Sequence, residues 1–349
     1  LLGWAQSVIY FPAMIAALAV IFSTQVLNLL NLDKTWHLPI AFAAAASLMF
    51  LNFLGGKTGG VIQTVATICK LIPLIAIILF GLFQSDSQPL QLFPIEAGKD
   101  ISFAGGLGGA LLAAMFAYEG WTNVGSMAGE MKNPQKDLPR AIFLGLAVVM
   151  AVYVLINVAY LMSLPMDRVA GNQTVASEVA AKLFGGLGGK ILTIGILISV
   201  YGAINGFTMA GIRVPYAMAK SDQIPMKDVW TKLNKGAIPV NAGLLLLVLA
   251  GIMMLTGSFD MLTDLLVFVM WFFYTATFFA VIILRKKDPE LARPYKVPLY
   301  PIIPIIAILG GVYTLVSTLI AQTGLALGGI GLTVIGLLFY TETHKKFKK

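Results

Sequence analysis

Apolar residues run along this chain in long blocks separated by short polar connections. The blocks lack the two-residue alternation of an outer-membrane barrel strand. A helix needs about 20 apolar residues to cross a bilayer. Ten blocks are candidates, at approximately 4–30, 38–54, 60–83, 104–127, 141–163, 190–219, 238–256, 262–284, 300–320 and 325–341. Backbone groups in hydrocarbon must bond within their own segment, so these blocks predict helices. The predicted fold class is an all-α polytopic membrane protein. No polar stretch is long enough to build an aqueous domain.

Composition agrees. Hydrophobic residues make up 58% of the 349 and charged residues 11%, against about half and a quarter in soluble domains. The net charge of +8 is explained by where the basic residues fall, and no nucleic-acid partner is expected. If the first span starts inside and the rest alternate, eighteen of the 24 lysines and arginines lie in inner connections or the tail. The outer connections hold Lys34, Lys99, Arg168, Lys182 and Lys190, and Lys70 stays within a span. The positive-inside rule then predicts a cytoplasmic C-terminus. The chain starts at Leu1 inside an apolar block, so its beginning is expected upstream of the numbered residues.

Several patterns carry little chemistry. Gly55 to Gly60, "GGKTGG", ends like a phosphate loop, but Leu51 stands where that loop needs glycine. "GGLGG" at 105–109 and at 185–189 reads as flexible entry into the helix that follows. Asn172-Gln173-Thr174 fits a glycosylation acceptor. Cys69 is the single cysteine and the two histidines are far apart, so neither an internal disulfide, a metal site nor a cofactor is expected. No nucleophile–base pair or paired carboxylates occur in the spans, which argues against an enzyme.

Two ionisable residues inside spans are costly and so point to function. Lys70 lies midway along 60–83; its ammonium either pairs within the bundle or stands where a sodium ion would bind. Glu119 sits in "FAYEGW", between Phe116-Ala117-Tyr118 and Gly120. Glycine there predicts local unwinding, tolerated at membrane depth where backbone lines a cavity. Bare carbonyls would accept from an ammonium, and free amides at a half-helix start would hold a carboxylate. Tyr153 and Asn157 share a helical face, Ser199, Tyr201 and Asn205 cluster, and Trp271 and Tyr274 fit packing as well as contact. Ala16, Ala17, Gly202 and Gly206 fit close helix packing.

"EMKNPQKDLPRAI" (130–142), following that span, resembles the amino acid–polyamine–organocation permeases. "RVPYAMAKSDQIP" (213–225) and "WFFYTATFFAVIILRKKDPELARPYKVPLYPIIP" (271–304) resemble the same superfamily, with "FAYEGW" most similar to its L-type branch and bacterial alanine–serine–cysteine exchangers. The resemblance implies a leucine-transporter-like inverted repeat of twelve helices. The ten spans would be helices three to twelve: 1–127 holding three to six, 128–284 seven to ten, and 285–349 eleven, twelve and the tail. The first broken helix, which supplies amides for the substrate carboxylate, would lie outside the numbered chain. Phe116 would be an aromatic gate. The carbonyls of Phe116, Ala117 and Glu119 would accept from the substrate ammonium, with Tyr118 and Gly120 in the same segment. Tyr153 would be a nearby polar contact, Trp271 a wall, and Lys70 the lysine of sodium-independent members. The loop "LNLLNLDKTWHLP" has no cysteine, so a disulfide-linked heavy-chain glycoprotein is not expected.

These readings predict a neutral L-amino acid permease of the plasma membrane, working by alternating access without sodium. A proton-coupled permease, or one for cationic amino acids or polyamines, is the alternative. A channel or non-transporting receptor on the same scaffold is the alternative from another class.

Overall fold

A computed structural model gives the structure over residues 1–90, 102–124, 131–293 and 295–347, with side chains to 338. Gly125, Glu130, Lys99 and the side chains of the tail lysines lie outside the described residues. Among the described residues, regular structure is entirely helical. Eleven helices carry the fold: α1 (Leu2–Leu30), α2 (His37–Phe53), α3 (Gly56–Leu82), α4 (Phe103–Ala117), α5 (Pro134–Ser163), α6 (Val175–Gly211), α7 (Arg213–Lys220), α8 (Val240–Thr256), α9 (Phe259–Lys287), α10 (Ile302–Ala321) and α11 (Thr323–Phe347). Each predicted span overlaps one of them. Among the described residues, seven helical segments are long and apolar enough to cross a membrane, and α8 and the start of α11 are shorter apolar helices.

The ends differ from the apolar blocks for local reasons. α6 starts at Val175, well before the predicted 190, because "GGLGG" does not end it. Gly185 instead takes φ +71 and kinks the helix, a conformation glycine adopts without strain. The other "GGLGG" lies within the first turns of α4, where the Ser102 Oγ accepts from the Gly105 amide at 3.1 Å. The loop before α2 is ordered by Asp33, whose carboxylate accepts from the Thr35 amide at 2.8 Å. That bond holds the Asp33 carboxyl below its usual range. Asn172 spends its amide on the Arg168 carbonyl (3.0 Å) and on Glu178 Oε1 (2.9 Å), and its Oδ1 accepts from the Thr174 amide and hydroxyl. The acceptor-like triplet is thus a turn that starts α6.

The residues form two compact units, each assembled from separated stretches. The first comprises residues 1–91, 155–266 and 329–349. Its central seam runs between α3 and α6. Gly59, Ala66, Pro73, Ile77 and Gly81 form the buried stripe of α3. A Cβ on Gly202 would strike the Ala66 methyl, and one on Gly195 would lie 3.2 Å from the Pro73 ring. Hydrocarbon gives no hydrophobic drive between helices, so such close backbone approach supplies dispersion contact instead. The opposite face of α3, with Val61, Val65, Ile68 and Ile72, is exposed, as a lipid-facing surface requires.

Two polar links tie this seam to neighbouring helices. Asn52 of α2 donates to Asn205 Oδ1 of α6 at 2.8 Å, and Asn205 donates to the Gly59 carbonyl of α3 at 2.9 Å. Tyr201 OH lies 2.8 Å from Ser47 Oγ. Ala16 and Ala17 are fully buried in α1. At the other end of α3, Gln84 donates to Ser163 Oγ and the Lys182 ammonium donates to the Ser163 carbonyl at 2.7 Å. A cation thereby meets the C-terminal carbonyls of α5.

The second unit comprises residues 92–154 and 267–328. Here α4 packs on α10: Tyr313 OH donates to the Ala104 carbonyl at 2.8 Å, and Gly108 leaves room for Ser317.

Candidate functional site

The second unit contains the break predicted at 116–120. α4 stops at Ala117. Tyr118 takes φ −91 and ψ 4, the Glu119 amide turns back to the Phe116 carbonyl at 3.0 Å, and Gly120 takes φ +104. A short 3₁₀ turn follows over 121–124, closed by the Asn123 amide on the Gly120 carbonyl at 3.0 Å. Any other residue at 120 would put a Cβ into a left-handed conformation that costs energy. The glycine therefore sets the position of the break, and the apolar block predicted to continue to 127 ends as a helix ten residues earlier.

Backbone oxygens freed by the break are partly engaged. The Ala117 carbonyl accepts from Tyr153 OH at 2.9 Å. The Phe116 carbonyl accepts from Glu119, as above. Tyr118 and Tyr153 rings meet edge to face with centroids 5.2 Å apart. Tyr153 of α5 is thus the fixed support of the last carbonyl of α4.

Glu119 finds its partner on α9. Tyr274 OH donates to Glu119 Oε1 at 2.7 Å, and the same phenol oxygen lies 3.3 Å from Thr122 Oγ1. Tyr274 is buried, with the Trp121 ring 5.8 Å away and the Trp271 ring 5.9 Å away by centroids. The Trp271 indole N–H has no hydrogen-bond partner among the described residues. The structure therefore gathers Ala117, Tyr118, Glu119, Gly120, Tyr153 and Trp271 into one neighbourhood, with Phe116 at the end of α4. Lys70 belongs to the first unit, on α3. It is half-buried, four residues after Ala66 and three before Pro73, on the stripe that carries both.

Tyr274 and Thr122 are the residues that sequence reasoning did not assign to the site. A signal existed for the first. Tyr274 lies three residues after Trp271, hence on its face, and a buried phenol needs a polar partner. Thr122 gave none, because its role depends on how the chain turns after Gly120.

Comparison with known proteins adds kinship to this geometry. Over 325 residues the chain is 40% identical to a serine/threonine exchanger of Bacillus subtilis, covering 93% of this chain and 73% of that protein. It is 30% identical to the human cystine/glutamate transporter, covering 85% of this chain. It is 29% identical to the human large neutral amino acids transporter small subunit 2, covering 95%. The chain spans 60% and 62% of the lengths of these two human relatives. These relatives are transporters and not enzymes. The sequence profile described as "Amino acid permease" matches residues 1–340, and with the described residues all-helical and one apolar block broken at Gly120, the chain belongs to the amino acid permease family of multi-pass membrane proteins.

Proposed function

We propose that this chain exchanges small or mid-sized neutral L-amino acids across the plasma membrane by alternating access, without sodium, as one integral-membrane transporter domain. The observation that supports this reading is the end of α4 at Ala117, with the backbone turning through Tyr118 and Gly120 beside the Tyr118 and Tyr153 rings. The ammonium of a zwitterion would meet the carbonyls of Phe116, Ala117 and Glu119. Tyr118 and Gly120 shape the turn, Tyr153 supports it, Trp271 lines the wall and Phe116 closes over the substrate. Binding energy that favours the closed state shifts the population between access states. Lys70 supplies a fixed cation in place of a bound sodium. The basic inner connections put the C-terminus in the cytoplasm, and the cysteine-free loop between α1 and α2 implies no disulfide-linked partner.

The test is uptake of labelled alanine, serine or leucine into liposomes holding the full-length chain. Acceleration by internal amino acid without a sodium gradient is expected. Strict dependence on sodium would remove the role given to Lys70, and absence of saturable counterflow would point to a channel. A second reading is favoured by Glu119, whose carboxylate at the break suits a cationic substrate or proton coupling. Competition by arginine or putrescine, or drive by a pH gradient, would distinguish it.

A further inference from the structure

We propose that Tyr274 is a specificity-determining positioning residue, which ties up the Glu119 carboxylate and so keeps the site selective for neutral over cationic side chains. The inference rests on the exchange reading above and deepens it. Glu119 is the single acidic residue between Asp100 and Glu130 in the sequence, and it stands at the point where α4 ends. A carboxylate so placed would attract any substrate with a second positive charge. A permease for neutral amino acids therefore needs that charge held by the protein itself.

The geometry does this in relay. Tyr274 has one hydroxyl proton, and it is spent on Glu119 Oε1 at 2.7 Å. The contact between the same phenol oxygen and Thr122 Oγ1 at 3.3 Å must then have Thr122 as donor. A hydroxyl that accepts one bond donates the next more strongly, so Thr122 reinforces the bond to the carboxylate. Hydrogen bonds to an ionised acceptor are roughly twice as strong as neutral ones. The phenol is also held in place before any substrate arrives. The rings of Trp121 and Trp271 meet it at 5.8 and 5.9 Å, and the Glu119 amide is anchored on the Phe116 carbonyl. One carboxylate oxygen is thus committed to α9.

The experiment compares arginine with alanine, by counterflow into liposomes and by ligand-induced thermal stabilisation of the purified protein. Tyr274→Phe keeps the ring and removes the donor. The arginine-to-alanine preference is expected to rise about tenfold, equal to about 1.4 kcal/mol, and Glu119→Gln in the same chain is expected to cancel the rise. Thr122→Val, which leaves the phenol in place, is expected to give a smaller rise in the same direction and carries the test if the phenylalanine variant fails to fold. A ratio within about twofold of the parent in these variants overturns the inference, as does a rise that persists with Glu119→Gln; tenfold is the magnitude one charge-assisted bond should control. If the parent binds alanine but shows no counterflow, the transport reading fails while the binding ratio still decides the role of Tyr274.

Discussion

Replacing Tyr153 by phenylalanine removes one atom, and that atom supports the last carbonyl of α4. The hydroxyl donates to the Ala117 oxygen at 2.9 Å, while the ring meets Tyr118 edge to face. Phenylalanine keeps the ring contact, so the perturbation is confined to what the hydroxyl does. A typical intramolecular hydrogen bond contributes about 0.5–1.5 kcal/mol net, corresponding to about two- to tenfold in an equilibrium constant. The Ala117 residue is exposed, so its oxygen gains no large burial penalty on losing the phenol. If the bond orients the carbonyl toward a substrate ammonium, KM for alanine exchange should rise by that factor with the maximal rate largely kept. The assay is concentration-dependent counterflow in liposomes, beside a thermal denaturation of the detergent-solubilised protein. A KM unchanged within about twofold, with a lowered midpoint, would reduce Tyr153 to a structural tie between α5 and α4. A KM that falls would mean that the phenol competes with the substrate for this oxygen.

Three further outcomes are expected. Gly202→Val drives its side chain into Ala66 and should destabilise by about 1–3 kcal/mol, read as a lowered thermal midpoint. Ala66→Gly should recover part of the loss, and Gly60→Ala, at a position with nothing within 4 Å, should lose little. Asn205→Leu leaves the Asn52 amide without its partner at the seam and should cost about 0.6–2 kcal/mol; adding Asn52→Leu should cost less than the sum of the single changes in the same melt. Asp33 has its carboxyl lowered from 3.8 by the Thr35 bonds. Its cap is therefore complete above that value and is lost as pH falls through the lower folded value. Protection of the Thr35 amide, taken relative to its intrinsic exchange rate, should fall on the acid side, and Asp33→Asn should abolish that fall.

Much of the fold was legible because hydrocarbon permits few backbone arrangements. Long apolar blocks could only be helices, so each of the ten overlaps a helix among the described residues, although seven segments there are long and apolar enough to cross a membrane. The end at Ala117 depends on Gly120 and the start at Val175 on the Asn172 turn, and hydropathy averages over both. Gly120 betrayed the break because it follows a carboxylate in an apolar block. Gly185 did not reveal that helix continues on both sides of it. Site residues were legible where a polar group was anomalous, as with Glu119 and Lys70. Tyr274 was hidden among aromatics whose packing explains them equally well, and its partner lies 155 positions away in sequence. Backbone engagement of the Ala117 oxygen was also beyond the sequence, since it requires the tyrosine of one helix to reach the end of another.

The fit between α3 and α6 has a mechanical corollary. Ala66 rests in the hollow at Gly202 and the Pro73 ring in that at Gly195, two keys in two slots two turns apart. Sliding one helix by a single residue, about 1.5 Å, would force both keys against filled positions at once. Whatever rearrangement accompanies a transport cycle, these two rods should travel as one piece, pivoting together without shear.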